Sequence, residues 1–433
     1  MQPHIRLDRT IVNLHHDNTV HVMLDIQAPP APPAERAPVD VVVVLDRSGS
    51  MAGAPLDAVK RATAEVIGQI GPDDRVGVVA FDDTVDLVLP LGRHSAGEAA
   101  AAVRSIRSGG STNLSGGWLK ALEMLVADAR PEAVRRIVIL TDGHANCGII
   151  DRDGLAGMVR GGQREGVTTS CIGFADGYDE RLLAALADAG MGNDYWCDGP
   201  DQARAVFGRE FGGLAAVVAQ NLSVEVRPTS AVAVAAVLNE FPVTDVPGGA
   251  QVALGDAIGD ERRRVVARFN LRPIPDEGEV EVATFVIRWV ATVGDIELHT
   301  ITVPVRITAG QVGEVDAGAD PEVHEEVRRL EVARNRQAAR DAAESGRYDD
   351  AADILRSSLA YIDSDDVQAE ELRIDVARLS SRMWSAADSK RHYSRARGVH
   401  KGRKADFTAA PNDGEPGTAS GPDSSDSDGF PSA

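Results

Sequence analysis

The feature that most constrains this chain is an unbroken apolar run of four valines and a leucine at residues 41–45. Such residues favour extended backbone, and a run without polar interruption predicts a strand buried on both faces, as in the middle of a parallel sheet. Polar residues follow the run at once, and a helical pattern begins soon afterwards. Open α/β sheets bind ligands at the carboxyl ends of their strands, so this strand end is the first candidate site.

Length and charge limit the classes of function that the chain can have. Its 433 residues predict two or three domains. A net charge of -21 disfavours binding to nucleic acid or to an anionic membrane surface. Three widely spaced cysteines indicate neither a disulfide framework nor a zinc motif. The sequence shows no secretory signal and no apolar run of about 18 residues, so we expect no membrane span and a cytoplasmic location.

Residues 39–219 alternate between strand-like and helix-like patterns. This alternation predicts an α/β fold, a doubly wound and mostly parallel Rossmann-like sheet with helices on both faces. The predicted strands are 39–45, 75–81, 84–89, 136–141, 167–173 and 194–197. The predicted helices are 54–70, 95–107, 115–129, 152–165, 179–190 and 200–219. The short turn at 82–83 favours a hairpin, which predicts one antiparallel edge strand.

The flanking regions have different patterns. Residues 1–38 contain strand-like segments followed by a proline-rich linker, and residues 220–310 are strand-like throughout. We expect both to form one β-sandwich into which the α/β domain is inserted; the alternative is two unrelated β pieces. Residues 320–397 predict a helical segment, as a hairpin or as part of a tetratricopeptide array. Residues 398–433 have the composition of a disordered tail.

The residues before that tail are rich in lysine and arginine. They include Lys390, Arg391, Arg395, Arg397, Lys401, Arg403 and Lys404. One interpretation is a solvated helix end whose charge offsets the acidic tail. The other is a docking patch for an acidic partner.

Three separated segments carry polar residues at predicted strand ends or in the loops beside them. Asp46, Ser48 and Ser50 follow the buried strand, Thr112 lies in a glycine-rich loop, and Asp142 follows the strand at 136–141. Because parallel strands end at the same edge of a sheet, these side chains could meet at one point. Carboxylate and hydroxyl oxygens are hard ligands, which suit Mg²⁺, Mn²⁺ or Ca²⁺ better than Zn²⁺.

Other interpretations of these residues remain open. A serine or an aspartate after a strand often caps the next helix. Asp82 and Asp83 are either turn residues or an auxiliary metal site. His144 and Cys147 lie beside Asp142 and could suggest a zinc or nucleophile site.

The combination of the three segments resembles a von Willebrand factor A (VWA) domain with a metal-ion-dependent adhesion site, of the bacterial intracellular type. The pattern of that family is D-x-S-x-S, a loop threonine and a later T-D-G, and the resemblance covers roughly residues 39–219. It implies that Ser48, Ser50 and Thr112 ligate the metal through their hydroxyls. It implies that Asp46 and Asp142 act directly or through bound water, and that Mg²⁺ is the expected ion, with Mn²⁺ or Ca²⁺ as alternatives.

The resemblance implies a function without catalysis. The bound cation would take a glutamate or aspartate side chain from a partner protein, and AAA+ ATPases are the first partner class to test. A runner-up is a metal-dependent hydrolase or a subunit of a metal-chelating enzyme complex, since a metal with open positions can activate water. In a third interpretation the metal only stabilises the domain, and binding occurs elsewhere.

Overall fold

A computed structural model describes residues 1–32, 36–68, 70–142, 144–174, 178–197, 200–214, 216–293, 296–311, 318–362 and 367–401. The elements in chain order are β1 (Gln2–Leu7), β2 (Ile11–Asn13), β3 (Asn18–Gln27), β4 (Val39–Asp46), α1 (Ala54–Ile67), β5 (Arg75–Phe81), β6 (Val85–Gly92), α2 (Ala96–Arg104), α3 (Leu114–Ala127), β7 (Val134–Thr141), α4 (Arg152–Arg164), β8 (Val167–Phe174), α5 (Glu180–Ala189), β9 (Met191–Cys197), α6 (Pro200–Leu214), β10 (Val217–Pro228), β11 (Val232–Val237), β12 (Val243–Val246), β13 (Gly249–Ile258), β14 (Arg262–Leu271), β15 (Gly278–Ala291), β16 (Leu298–Gly310), α7 (Pro321–Glu344), α8 (Tyr348–Leu359), α9 (Val367–Ser380) and α10 (Ala386–His400). Among the described helices, none combines the length and the hydropathy needed to cross a bilayer.

The middle of the chain forms a six-stranded sheet in the order β6-β5-β4-β7-β8-β9. The neighbouring pairs from β5 to β9 are parallel, and β6 pairs antiparallel with β5. The prediction of a doubly wound, mostly parallel sheet is therefore confirmed. All eight residues of β4 are buried, which places the apolar run at the centre of the sheet.

Successive valines of β4 belong to two separate cores. Val41, Val43 and Leu45 pack with residues of α1, α2 and α6 on one face. Val42 and Val44 pack with residues of α3, α4 and α5 on the other. Because side chains alternate along a strand, both faces of this strand must be apolar for helices to cover both sides of the sheet.

The remaining strands form two sheets with one shared core. One has the order β1-β3-β14-β11 and the other β12-β13-β10-β15-β16-β2. The N-terminal strand β3 pairs over its whole length with β14, from Gln27 opposite Arg262 to Asn18 opposite Leu271. Phe269 of one sheet lies 6.5 Å from Phe285 of the other, between ring centroids. Strands from both ends of the α/β domain thus build one strand-rich unit.

The C-terminal helices connect the two units. Val323, Val327 and Leu330 of α7 pack against Met23 and Val266 on the outside of the first sheet. Helices α8 and α9 extend a small core with α7, and α10 returns to the α/β domain.

Helix α10 is held on the α/β domain by ion pairs between partly buried side chains. Arg397 Nε lies 2.9 Å from Asp194 Oδ2, and its Nη2 lies 2.7 Å from Asp188 Oδ1. Lys401 Nζ lies 2.9 Å from Asp194 Oδ1. Burial opposes ionisation of Asp194, yet Arg397 and Lys401 hold its pKa well below the ordinary value. Lys390 is also buried and donates to the Tyr178 carbonyl over 2.8 Å. The interpretation of this region as a solvated helix end is therefore wrong for these three residues.

We expect the Arg397→Ala variant to lose about 2–3 kcal/mol of unfolding free energy, less than the loss of about 3–5 kcal/mol for a fully buried pair, because Asp194 is only partly buried and keeps Lys401. Urea unfolding followed by circular dichroism measures this loss. Arg391→Ala is the matched control, since Arg391 belongs to the same helix and its side chain is more exposed. Equal stability of the two variants would show that the contacts of α10 contribute little.

The structure corrects two predicted boundaries and one predicted number of helices. The helix predicted to reach residue 219 ends at Leu214, and β10 begins at Val217, because the following valines pair in the strand-rich unit. Residues 398–400 continue α10, although they were expected to be disordered. Among its described residues, the helical segment forms four helices rather than a hairpin. The rest of the predicted tail, 402–433, lies outside the described residues.

Candidate functional site

The loops that carry the predicted site residues converge at the carboxyl edge of the sheet. Strand β4 ends at Asp46 beside β7, which ends at Thr141, and the two strands are parallel. The glycine-rich loop lies over this edge, since Gly49 N donates to Gly110 O over 3.1 Å. Segments that lie far apart in sequence are therefore neighbours at this edge.

Asp46 is the most deeply buried member of the predicted set. One of its carboxylate oxygens accepts from Ser48 N over 2.8 Å, and the other accepts a short hydrogen bond from the Thr141 hydroxyl. Burial raises the pKa of Asp46, and the nearby charge of Asp142 adds to the effect. The side chain is thus fixed in orientation, and its negative charge is poorly solvated.

The two serines lead from Asp46 toward Asp142. Ser48 Oγ lies 3.3 Å from Ser50 Oγ, and Ser50 Oγ donates to Asp142 Oδ1 over 2.9 Å. Ser48 is buried, whereas Ser50 is exposed. Burial also raises the pKa of Asp142, against the hydrogen bond from Ser50. Four of the five predicted residues therefore form a connected cluster of oxygens that reaches from the interior to solvent.

Thr112 is buried in the adjoining loop, and backbone contacts fix its position. Its N–H donates to Asn146 Oδ1 over 2.7 Å, and its carbonyl accepts from Asn146 N over 3.1 Å. Sequence reasoning missed the structural roles of Thr141 and Asn146. Thr141 is the threonine of the T-D-G motif, so the motif could have indicated its role. The sequence gives no comparable signal for Asn146.

Arg47 lies between two site residues in sequence but turns away from the cluster. Its Nε lies 3.1 Å from Asp82 Oδ2, and its Nη1 lies 2.7 Å from Asp86 Oδ2. Burial opposes ionisation of Asp82, but hydrogen bonds from Thr84 and Arg47 hold its pKa below the ordinary value. Asp82 therefore has a structural role here, and the interpretation as an auxiliary metal site finds no support in these contacts.

Glycine at position 109 is required by the packing of this loop. A Cβ atom there would lie 1.9 Å from Asp82 Oδ2. A side chain there would displace the Asp82 carboxylate that pairs with Arg47. The absence of a side chain at position 109 therefore leaves room for the ion pair between Arg47 and Asp82.

The donor set fits a hard divalent cation. The connected cluster offers two carboxylates and two hydroxyls, which are the ligand types that Mg²⁺ and Ca²⁺ take, and Thr112 lies in the adjoining loop. Within the described part of the chain, neither Asp46 nor Asp142 has a lysine, arginine or histidine within ion-pair distance. Two poorly solvated carboxylates without a counter-charge favour the binding of a cation at this position.

Zinc or nucleophile chemistry does not fit the same region. No group of three His, Cys, Asp or Glu side chains suited to a metal occurs among the described residues. His144 is exposed, and its Nδ1 lies 3.6 Å from Asp179 Oδ2. Asn113 accepts from Gly116 N over 3.0 Å and caps α3, as expected of a loop-forming residue.

Comparison with known proteins identifies the α/β domain. Residues 40–200 match the family model of the von Willebrand factor type A domain. The E3 ubiquitin-protein ligase WAV3 of Arabidopsis thaliana is 32% identical over an alignment of 249 residues, which covers 55% of this chain and 32% of that protein. This chain thus spans about a third of that relative's length.

Two solved structures share the fold across most of the chain. The ArnB paralog VWA2 from Sulfolobus acidocaldarius superposes with a TM-score of 0.62 at 18% identity, covering 92% of this chain and 97% of that one. A von Willebrand factor type A protein from Catenulispora acidiphila gives a TM-score of 0.65 at 18% identity, covering 86% and 89%. The family match and the sheet order agree: residues 40–200 of this chain form a von Willebrand factor type A domain.

Proposed function

We propose that this protein is a metal-dependent protein-binding module. A divalent cation, with Mg²⁺ as the first candidate, would be held by Asp46, Ser48, Ser50, Thr112 and Asp142. A glutamate or aspartate of a partner protein would complete its coordination. The observation that carries this proposal is the connected oxygen cluster, in which two carboxylates with raised pKa lack a basic counter-charge within the described residues.

The five residues would have different roles in holding the cation, according to their charge. Ser48, Ser50 and Thr112 supply neutral hydroxyls, so the bound cation keeps much of its positive charge. Asp46 and Asp142 supply the negative charge that retains the cation, directly or through water. When bound, the cation supplies an electrophilic position for an external carboxylate. Ser50 is the exposed member, and it marks the side from which a partner would approach.

The similarity to WAV3 supports a role in binding other proteins more than a particular chemical reaction. The segment shared with WAV3 is about a third of a protein named as a ubiquitin ligase. We propose that the shared part contributes binding and that ligase activity is not carried over. AAA+ ATPases remain the first partner class to test, and a cytoplasmic location remains a prediction. The hydrolase alternative gains no support, because Asn146 and His144, the polar residues after Asp142, already contact Thr112 and Asp179.

Capture experiments test this function. We expect proteins retained by the immobilised full chain in Mg²⁺ to be released by EDTA and to bind again when Mg²⁺ is restored. Asp142→Ala should lose the same set of proteins, because it removes a carboxylate of the cluster. Glu132→Ala, which changes an exposed acid just before the amino end of β7, is the matched control and should retain them. A partner set that is indifferent to EDTA and to Asp142→Ala would refute binding through a metal.

A further inference from the structure

We propose that the partner segment presents a single carboxylate directly beside a large aliphatic side chain, which packs on Ile149 and Ile150. This inference rests on the proposed function, because the carboxylate is the group that would reach the cation. It adds the chemistry of the neighbouring residue and excludes polyacidic segments as the preferred partner.

The two isoleucines lie in a loop that is tied to the site. Cys147 N donates to Thr112 O over 3.2 Å, and Ile149 N donates to Ser115 Oγ over 3.0 Å. These contacts attach the loop to the segment that carries Thr112 and to the first turn of α3. A partner that reaches the cluster from solvent therefore meets this loop as well.

Gly148 fixes the path of the backbone directly before the two isoleucines. Gly148 has a φ of +74°, a conformation that side chains other than glycine rarely adopt. A Cβ atom there would lie 2.4 Å from both Asn113 Oδ1 and Ser115 Oγ. The backbone is therefore seated on the N-terminal turn of α3, and the next two residues are presented outward.

Ile149 and Ile150 are exposed aliphatic side chains, and α3 carries a third, Leu119. Their exposed fractions are 39% and 59%, and Leu119 is 48% exposed. Leu119 lies one turn after Ser115 on the same face of α3, the face to which Ile149 is tied. Single exposed apolar side chains are common, whereas a group of them beside a candidate binding site marks a contact surface.

The charges around this surface are negative on balance. Asp83 and Asp151 are exposed, and Asp151 directly follows Ile150. Asp153, the second residue of α4, is almost fully exposed, and the exposed Arg152 lies 3.9 Å from it, so three acids and one base line this rim. Arg47, the basic residue between Asp46 and Ser48, is already paired with Asp82 and Asp86. A segment with several acids would meet repulsion at this rim, whereas one acid beside an aliphatic residue meets the cation and the isoleucines together.

An immobilised peptide library tests the inference directly. Each peptide has a central glutamate with one varied residue on either side, between neutral Gly-Ser flanks, and the full chain is applied in Mg²⁺ and in EDTA. We expect Mg²⁺-dependent binding in which Leu, Ile or Met beside the glutamate improves the Kd by about tenfold over Ser. Asp or Glu at the same position should weaken binding.

The variant with Ile149→Ser and Ile150→Ser separates the two proposals. It should keep Mg²⁺-dependent binding to the glutamate peptides and lose the aliphatic preference. The matched control carries Val234→Ser and Val243→Ser, which change two exposed valines in the strand-rich unit, and it should keep the preference. Thermal unfolding verifies that both variants are folded.

The remaining outcomes overturn the inference. Mg²⁺-dependent binding without an aliphatic preference, or a preference that survives in the isoleucine variant, refutes the inference and leaves the proposed function standing. Absence of any EDTA-sensitive binding to glutamate peptides refutes both. A preference for neighbouring acids would show that polyacidic segments are the better partners.

Discussion

The Asp46→Asn variant is expected to lose the thermal stabilisation that Mg²⁺ gives to the wild-type protein. At a Mg²⁺ concentration about 100 times the Kd, the unfolding free energy of the wild type should rise by about 2.7 kcal/mol. The variant keeps the shape of the side chain but removes one of the two charges of the cluster. Mutation of a residue that only supports a metal ligand typically weakens metal binding by about 10–100-fold. Because Asp46 would carry one of the two charges of the site, we expect the variant to bind Mg²⁺ at least about 100-fold more weakly than the wild type.

The metal-free variant should be at least as stable as the metal-free wild type. Burial raises the pKa of Asp46 in the folded state, so the stability that this group contributes is present below its unfolded pKa and is lost as pH rises through the folded pKa. At neutral pH its charge therefore costs stability, and asparagine removes that cost.

Thermal unfolding in Mg²⁺ and in EDTA, together with titration calorimetry of Mg²⁺, measures both effects. Glu132→Gln is the control, since Glu132 is an exposed acid just before the amino end of β7, at the opposite edge of the sheet. If Asp46→Asn responded to Mg²⁺ as the wild type does, the ion would bind elsewhere.

Replacing Arg136 should destabilise the protein more than any other single change considered for this chain. Its Nη1 lies 2.7 Å from Glu210 Oε1, its Nη2 forms a short ion pair with Asp256, and its Nε donates to Thr168 Oγ1 over 2.9 Å. The guanidinium joins β7, α6 and β13, and all three ionised side chains are buried. Burial keeps the pKa of Asp256 above its ordinary value, whereas Arg136 holds that of Glu210 below it, against the effect of burial.

We expect Arg136→Ala to cost about 3–5 kcal/mol, because it leaves two buried carboxylates without their cation. Urea unfolding gives the loss, and Arg164→Ala, at an exposed arginine of α4, should change the unfolding free energy by less than about 0.5 kcal/mol. Adding Glu210→Gln and Asp256→Asn to Arg136→Met should recover much of the loss. Failure of that recovery would show that packing, rather than uncompensated charge, is the cause.

The sequence was sufficient to predict the sheet and to select the loops of the candidate site. Residues 41–45 predicted the central strand because a strand buried on both faces needs apolar side chains on both. The convergence of the segments around Asp46, Thr112 and Asp142 followed from the shared direction of parallel strands. Both results depend on local pattern and on topology, which one sequence can show.

Contacts between distant charged residues could not be predicted in this way. Arg397 resembled other basic residues near a helix end, and only the fold places Asp194 beside it. Arg136 begins a predicted strand, where an arginine is usually exposed, yet Glu210 and Asp256 surround it. A sequence shows which charges are present, whereas their partners depend on packing between domains.

The pairing of β3 with β14 has a consequence for how the protein is made. Asp25 and its partner Arg262 are 237 residues apart, with the whole α/β domain between them. At about 5–20 residues per second, a ribosome needs about 10–50 s to synthesise that interval. During this time β3, whose inward side chains are apolar, has been made without its main partner. Only β1 is available to pair with β3 in this interval, so the other edge of β3 stays open until the inserted domain has been completed, and slowing translation within that domain should increase aggregation.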